Sequence, residues 1–228
     1  MGASDSTART TLDVQNSWVT TTASLIVIAG RTVSLDQALM ILRAYSKRTM
    51  RKYDLPGAGD PAILTPDEVR RTRAVSSRIS EAEVAWFTAR GSTAPWLPAG
   101  SDLTDADPDV TAGVYDAMTD LFDYFLTAAP RGVNRAKISK VLHVKQPALY
   151  PIVDSHLDMT YRDAGRAAAL RHPQRGFKSM NWVAIRADLI ENRSTGSLSA
   201  VRDAIQQSTD LGDFNQVTDL RLLDMLTW

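Results

Sequence analysis

Between Tyr124 and Val153 the chain contains no Asp or Glu, while Arg131, Arg135, Lys137, Lys140 and Lys145 supply five positive charges. The strip is entered from Val114, Met118, Leu121, Phe122 and Phe125, apolar residues at the three-and-four spacing of an amphipathic helix, and it is broken at Pro130 and Gly132. A second helix pattern opens at Arg135. The chain here is therefore constrained to two helices joined by a tight glycine turn, with a basic second helix, and the next acid after the turn is Asp154. A surface of one charge sign attracts a polyanion.

The rest of the composition narrows the function class. The chain has 228 residues and a formal net charge of zero, with 26 basic and 26 acidic side chains. The neutrality hides a segregation, because Asp102, Asp105, Asp107, Asp109, Asp116, Asp120 and Asp123 precede the basic strip with no intervening Lys or Arg. There is no cysteine, so disulfides and cysteine-ligated iron–sulfur clusters are excluded. His143, His156 and His172 are too scattered for a zinc site, and Val110 occupies the glycine position of the calcium-loop pattern that Asp105, Asp107 and Asp109 begin. No metal or cofactor is expected. The apolar run Ala23 to Ala29 is too short to span a bilayer and lacks the basic flank of a secretory signal, so the protein is expected to be cytoplasmic and free of membrane. Met1-Gly2 with Ser6 fits an N-myristoylation pattern, but no polybasic second signal follows.

Residues 1–16 read as a disordered Ser/Thr-rich tail, and 17–228 as one helical domain with a linker or lobe boundary in the Pro/Gly-rich stretch 91–109. Leu25 to Ile28 fits either a short strand or the start of a buried helix. Helices are predicted from Ser34 to Tyr45, from the Thr65-Pro66-Asp67-Glu68 capping box through Val75, and from Ser80 to Arg90. The first ends in the cluster Lys47, Arg48, Arg51 and Lys52; the second carries Arg70, Arg71, Arg73 and Arg78, expected as a solvated face or an extension of a nucleic-acid footprint. After Asp154 a helix to about Leu170 is followed by a basic loop from Arg171 to Lys178, two helices near Trp182–Ile190 and Leu198–Ile205, and a Leu-rich last helix.

The block from Ala117 to Tyr161 resembles the helix-hairpin-helix DNA glycosylases of the endonuclease III-like superfamily. Ala129-Pro130-Arg131-Gly132-Val133-Asn134 aligns with their Leu-Pro-Gly-Val-Gly hairpin, Arg135 to Leu142 with the second helix, and Val153-Asp154-Ser155-His156 with their Val-Asp-Thr-His element. Ala136, eighteen residues before Asp154, holds the position of the Schiff-base lysine of bifunctional members. The flanking text is similar instead to a bacterial domain family of uncharacterised activity.

The resemblance implies an all-α, two-lobed protein whose hairpin and Asp154 face a cleft. Its ligand would be double-stranded DNA, held by the backbone at Gly132, Val133 and Asn134 and by Arg135, Lys137 and Lys140. Asn134 replaces the second hairpin glycine and is expected at positive φ. Asp154 would stabilise an oxocarbenium-like sugar and direct water onto it, and with Ala136 at the lysine position the enzyme would be monofunctional, in base-excision repair or in defence against modified phage DNA. Lys140, one turn on from Ala136, is a phosphate contact or a displaced amine nucleophile. Trp86, Trp96, Tyr115, Tyr124 and Trp182 are candidates either for stacking on an extruded base or for the core. His156 reads as structural. Asp154 is equally explicable as a helix N-cap, the hairpin as an ordinary helix corner, and the strip as a non-catalytic DNA-binding module or a contact for an acidic partner, the chain's own Asp-rich segment included.

Overall fold

Ser34, Thr65 and Ser80 each stand three residues before a Gln or Glu, and in the computed structural model, which describes residues 25–176 and 180–228, each closes a capping box. The helices they start are α1 (Leu35–Ala44), α3 (Pro66–Arg71) and α4 (Glu81–Gly91). Between them lies α2 (Lys47–Thr49), which widens into a π-helical turn over Met50–Asp54. A 3-10 turn, Thr72–Val75, extends α3 and ends at Ser76 in the left-handed region. The N-terminal tail, the myristoylation pattern and the end of the basic loop at Lys178 lie outside the described residues.

Leu25–Ile28 is a strand, β1, paired antiparallel with β2 (Arg31–Ser34) in the register Ile26 opposite Val33. Ala29 and Gly30 both take positive φ, the two-residue turn whose twist suits a hairpin. Two strands are not stable alone. The free edge of β1 is satisfied by α9 (Met180–Ser194): Asn192 Oδ1 accepts from Val27 N at 2.8 Å while its Nδ2 donates to Val27 O at 2.7 Å, and Asp188 Oδ2 accepts from Ala29 N at 2.6 Å. The expected largely helical class stands, with this hairpin added to it.

The predicted helix into the glycine turn is α5 (Val114–Thr127), and the basic helix after it is α6 (Arg135–Lys145). Gly132 has φ +99°, a conformation L side chains avoid. Asn134 does not share it. Its φ is −119°, and its side chain accepts from Lys137 N at 3.0 Å, so it is the N-cap of α6 rather than a surrogate glycine.

The structure places three further segments. The stretch 91–109 is packed: Leu97, Leu103 and Ala106 are buried, Leu103 N donates to Ala148 O, and Gln146 Nε2 donates to Leu97 O. The helix after Asp154 is two, α7 (Ser155–Thr160) and α8 (Arg162–Arg171), broken at Tyr161, whose hydroxyl turns inward onto Asp188 at 2.8 Å. In the Asp-rich segment, Asp107 pairs with Arg186, Asp102 with Arg193 and Asp116 with Arg175.

The helices α10 (Ser197–Gln207) and α11 (Asp219–Met225) complete the order. β1, α1, α8, α9 and α10 pack together, as do α3, α4, α5 and α6, and one apolar core runs through both groups from Ile26 to Leu226.

Candidate active site

Asp154 is the N-cap of α7. Its Oδ1 accepts from His156 N at 3.1 Å and Leu157 N at 3.2 Å, while Oδ2 lies 4.0 Å from Lys140 Nζ. The carboxylate forms part of the wall of a cavity of about 430 Å³, of which Ile41, Ala44, Val75, Ile152 and Met225 are the apolar lining and Tyr45 and Trp228 the aromatic lining. Lys140 enters the same cavity with its amine bonded to Val75 O at 2.9 Å, and burial lowers its pKa, with Asp154 opposing that shift. Ser76, held at φ +62°, is also among the lining residues.

A buried polar network borders the cavity. Arg221 donates to Asp54 at 2.8 Å, to Asp224 in a close i,i+3 pair and to the Tyr45 hydroxyl at 2.6 Å. One guanidinium between two carboxylates carries a formal charge of −1 when both acids are ionised, so the pairing offsets only part of the cost of burying these charges. Burial pushes the Asp224 carboxyl up to about 6, and Arg221 only partly offsets it. Behind this network His143 is buried with Nδ1–H donating to Tyr150 O at 2.7 Å and its ring stacked on Tyr53, and burial drives its pKa down to about 3. Tyr53 in turn donates to Lys140 O at 2.9 Å.

The lysines expected to face phosphate point inward. Lys137 is ion-paired with Glu83 at 2.7 Å, Lys140 enters the cavity, and Lys145 is buried, bonded to Glu68 and Ala58 O at 2.9 Å each and to Ile63 O. The acid-free strip is therefore matched by carboxylates and carbonyls from α3, α4 and the segment before α3, none of which sequence proximity indicates. Arg131 and Arg135 remain exposed on the turn, with Gly132 and Asn134 beside them and Val133 buried beneath. Asp154 and Lys140 thus meet in one cavity, which Gly132, Val133, Asn134, Arg135 and Lys137 do not line.

The aromatic candidates also go elsewhere. Trp182 is packed edge-on against Tyr115, Phe122 and Tyr150, and Trp86, Trp96 and Tyr124 surround Phe125. The rings at the cavity are Tyr45 and Trp228, the latter 67% exposed and stacked on His156 at 4.6 Å. His156 Nε2 bonds to Thr227 O at 2.8 Å, which fixes the structural role expected of it. The one sequence signal for the missed network was the pair Arg221 and Asp224 set inside an otherwise apolar run, since charge in a buried helix needs a partner. Among the described residues no group of three or more His, Cys, Asp or Glu is placed to hold a metal.

The profile of a family of unknown function, DUF6308, matches residues 95–228, more than half of the chain. The chain belongs to DUF6308. No curated protein and no solved structure matches it. The DUF6308 segment supplies Lys140, Asp154, Arg221, Asp224 and Trp228, whereas the opposite wall, Ile41 to Thr49 and Ala74 to Ser76, precedes it.

Proposed function

We propose that the protein is a DNA glycosylase that hydrolyses the N-glycosidic bond of a damaged or modified base, with Asp154 as the carboxylate that stabilises the sugar cation and directs water. The observation that carries this reading is the Asp154 carboxylate in the wall of a largely apolar cavity of about 430 Å³, within the size range of small-molecule sites and with Tyr45 and Trp228 among its lining. The turn at Gly132, with positive φ and an exposed basic rim, is the helix-hairpin-helix element in this reading, gripping duplex DNA by backbone amides. The two packed groups of elements are the two lobes, and the cavity, which draws residues from both, is the cleft.

Asp154→Asn is the direct test, because Asn caps a helix about as well as Asp while lacking the negative charge. Single-turnover base release should vanish, with unfolding midpoint and DNA affinity within a few-fold of the parent. Full activity in the mutant removes Asp154 from the chemistry.

One observation favours a second reading, in which the enzyme is also a lyase. Lys140 offers a buried amine of lowered pKa, 4.0 Å from Asp154, in the same cavity. An uncharged amine can attack C1′ and form an imine. Borohydride decides between them: no trapping and alkali-dependent strand cleavage is expected of the hydrolase, and trapping abolished by Lys140→Ala identifies the lyase.

A further inference from the structure

Next to the Asp154 cavity, and sharing Thr49 and Ala74 with it, runs a groove of about 650 Å³ lined by Arg48, Lys52, Arg70, Arg71 and Arg73. One acid, Asp67, lines it, and its side chain is 91% exposed. The cations come from two elements: Arg48 and Lys52 are one turn apart on α2 and the π-turn, and Arg70 to Arg73 lie along α3 and its 3-10 extension.

The two rows are held differently. Glu81 accepts from both Arg70 and Arg73 at 2.7 Å, and Arg71 donates to the carbonyls of Tyr53 and Gly57, so three guanidiniums are fixed in place. Arg48 and Lys52 are exposed and have no protein partner among the described residues. Five cations against Asp67 and Glu81 leave the groove with net positive charge. The fixed guanidiniums already donate to Glu81, Asp67 and backbone carbonyls and so contribute charge rather than open donor pairs, while the free Arg48 and Lys52 opposite suit a chain of singly charged phosphates, since mobile side chains follow a variable backbone.

We propose that this groove seats the sugar–phosphate backbone of the strand that presents its base to the Asp154 cavity. The proposal rests on the nucleic-acid part of the functional reading and moves the main phosphate contact from α6, whose lysines are engaged inside the protein, to α2 and α3. Thr49 and Ala74 line both the groove and the cavity, which places a backbone in the groove beside the cavity that would take its base.

The test is binding of a fluorescent DNA duplex, of one of its single strands and of poly-glutamate to the full chain, across a salt series. Arg48→Ala with Lys52→Ala removes no side-chain hydrogen bond or ion pair among the described residues and should leave the unfolding midpoint unchanged. It should weaken DNA binding at low salt at least tenfold and reduce the slope of log K against log salt by about 2, whereas Lys137→Ala leaves the slope intact. An unchanged slope in the double variant, a slope loss confined to Lys137→Ala, or poly-glutamate binding as tightly as DNA would each overturn the groove. Base release by the parent with an unchanged slope fails the groove alone. Absent base release with the expected slope change fails the catalytic reading alone.

Discussion

Asp154 shows why a residue can be found in a sequence before its role is. The resemblance pointed to it, and in the structure it has two engagements that coexist, since Oδ1 serves α7 while Oδ2 faces Lys140. Asp154→Ala should therefore lower stability by about 1 kcal/mol through the lost cap, with Asn close to neutral, as read from urea midpoints. Lys145 was legible as a charge but not as a buried one. Its amine meets Glu68 and two carbonyls with its side chain fully buried, so Lys145→Met should strand the Glu68 carboxylate and cost on the order of 3–5 kcal/mol. A cost below about 1 kcal/mol would mean that the pair is open to water.

At the scale of elements, local chemistry was readable and long-range satisfaction was not. The capping boxes at Thr65 and Ser80 start their helices where the sequence places them, because a cap involves residues three apart. The use of Asn192 to complete the edge of β1 depends on a partner 165 residues away. On α6 every residue from Ile138 to Lys145 is buried, so periodicity had no solvent face to report, and its lysines were assigned to a surface they do not occupy. The turn before α6 gives a clean test. Gly132→Ala places a Cβ at φ +99° and 3.1 Å from Glu83 Oε1, and should cost roughly 1–2 kcal/mol in thermal or urea unfolding. Asn134, in extended conformation, should accept Asp without that penalty, because only its capping oxygen is used.

At the scale of the molecule, net charge and its segregation could be counted, but the pairing that cancels them could not, because Lys145–Glu68, Arg221–Asp54 and Arg193–Asp102 join segments 77 to 167 residues apart. The same burial gives the fold an acid response with two opposed parts. The unfolded chain protonates His143 near 6.5 and the folded chain only near 3, so the stability gained from neutral His143 is complete above 6.5 and is lost as pH falls toward 3. For Asp224 the folded chain keeps its proton up to about 6 while the unfolded chain releases it near 3.8, so that group stabilises the fold below 3.8 and loses its contribution as pH rises through 6. Between about 4 and 6 the two contributions run in opposite directions with similar slopes, and each should emerge when the other is removed. Relative to the parent, Asp224→Asn should lose stability on acidification across that interval by up to about 1.4 kcal/mol per pH unit, and His143→Gln should gain at a comparable rate. Urea midpoints of the three proteins at several pH values measure this directly, and the comparison cancels the surface carboxylates common to all of them. Parallel curves for parent and His143→Gln would show that His143 titrates alike in both states, and the buried neutral imidazole bonded to Tyr150 would have to be abandoned.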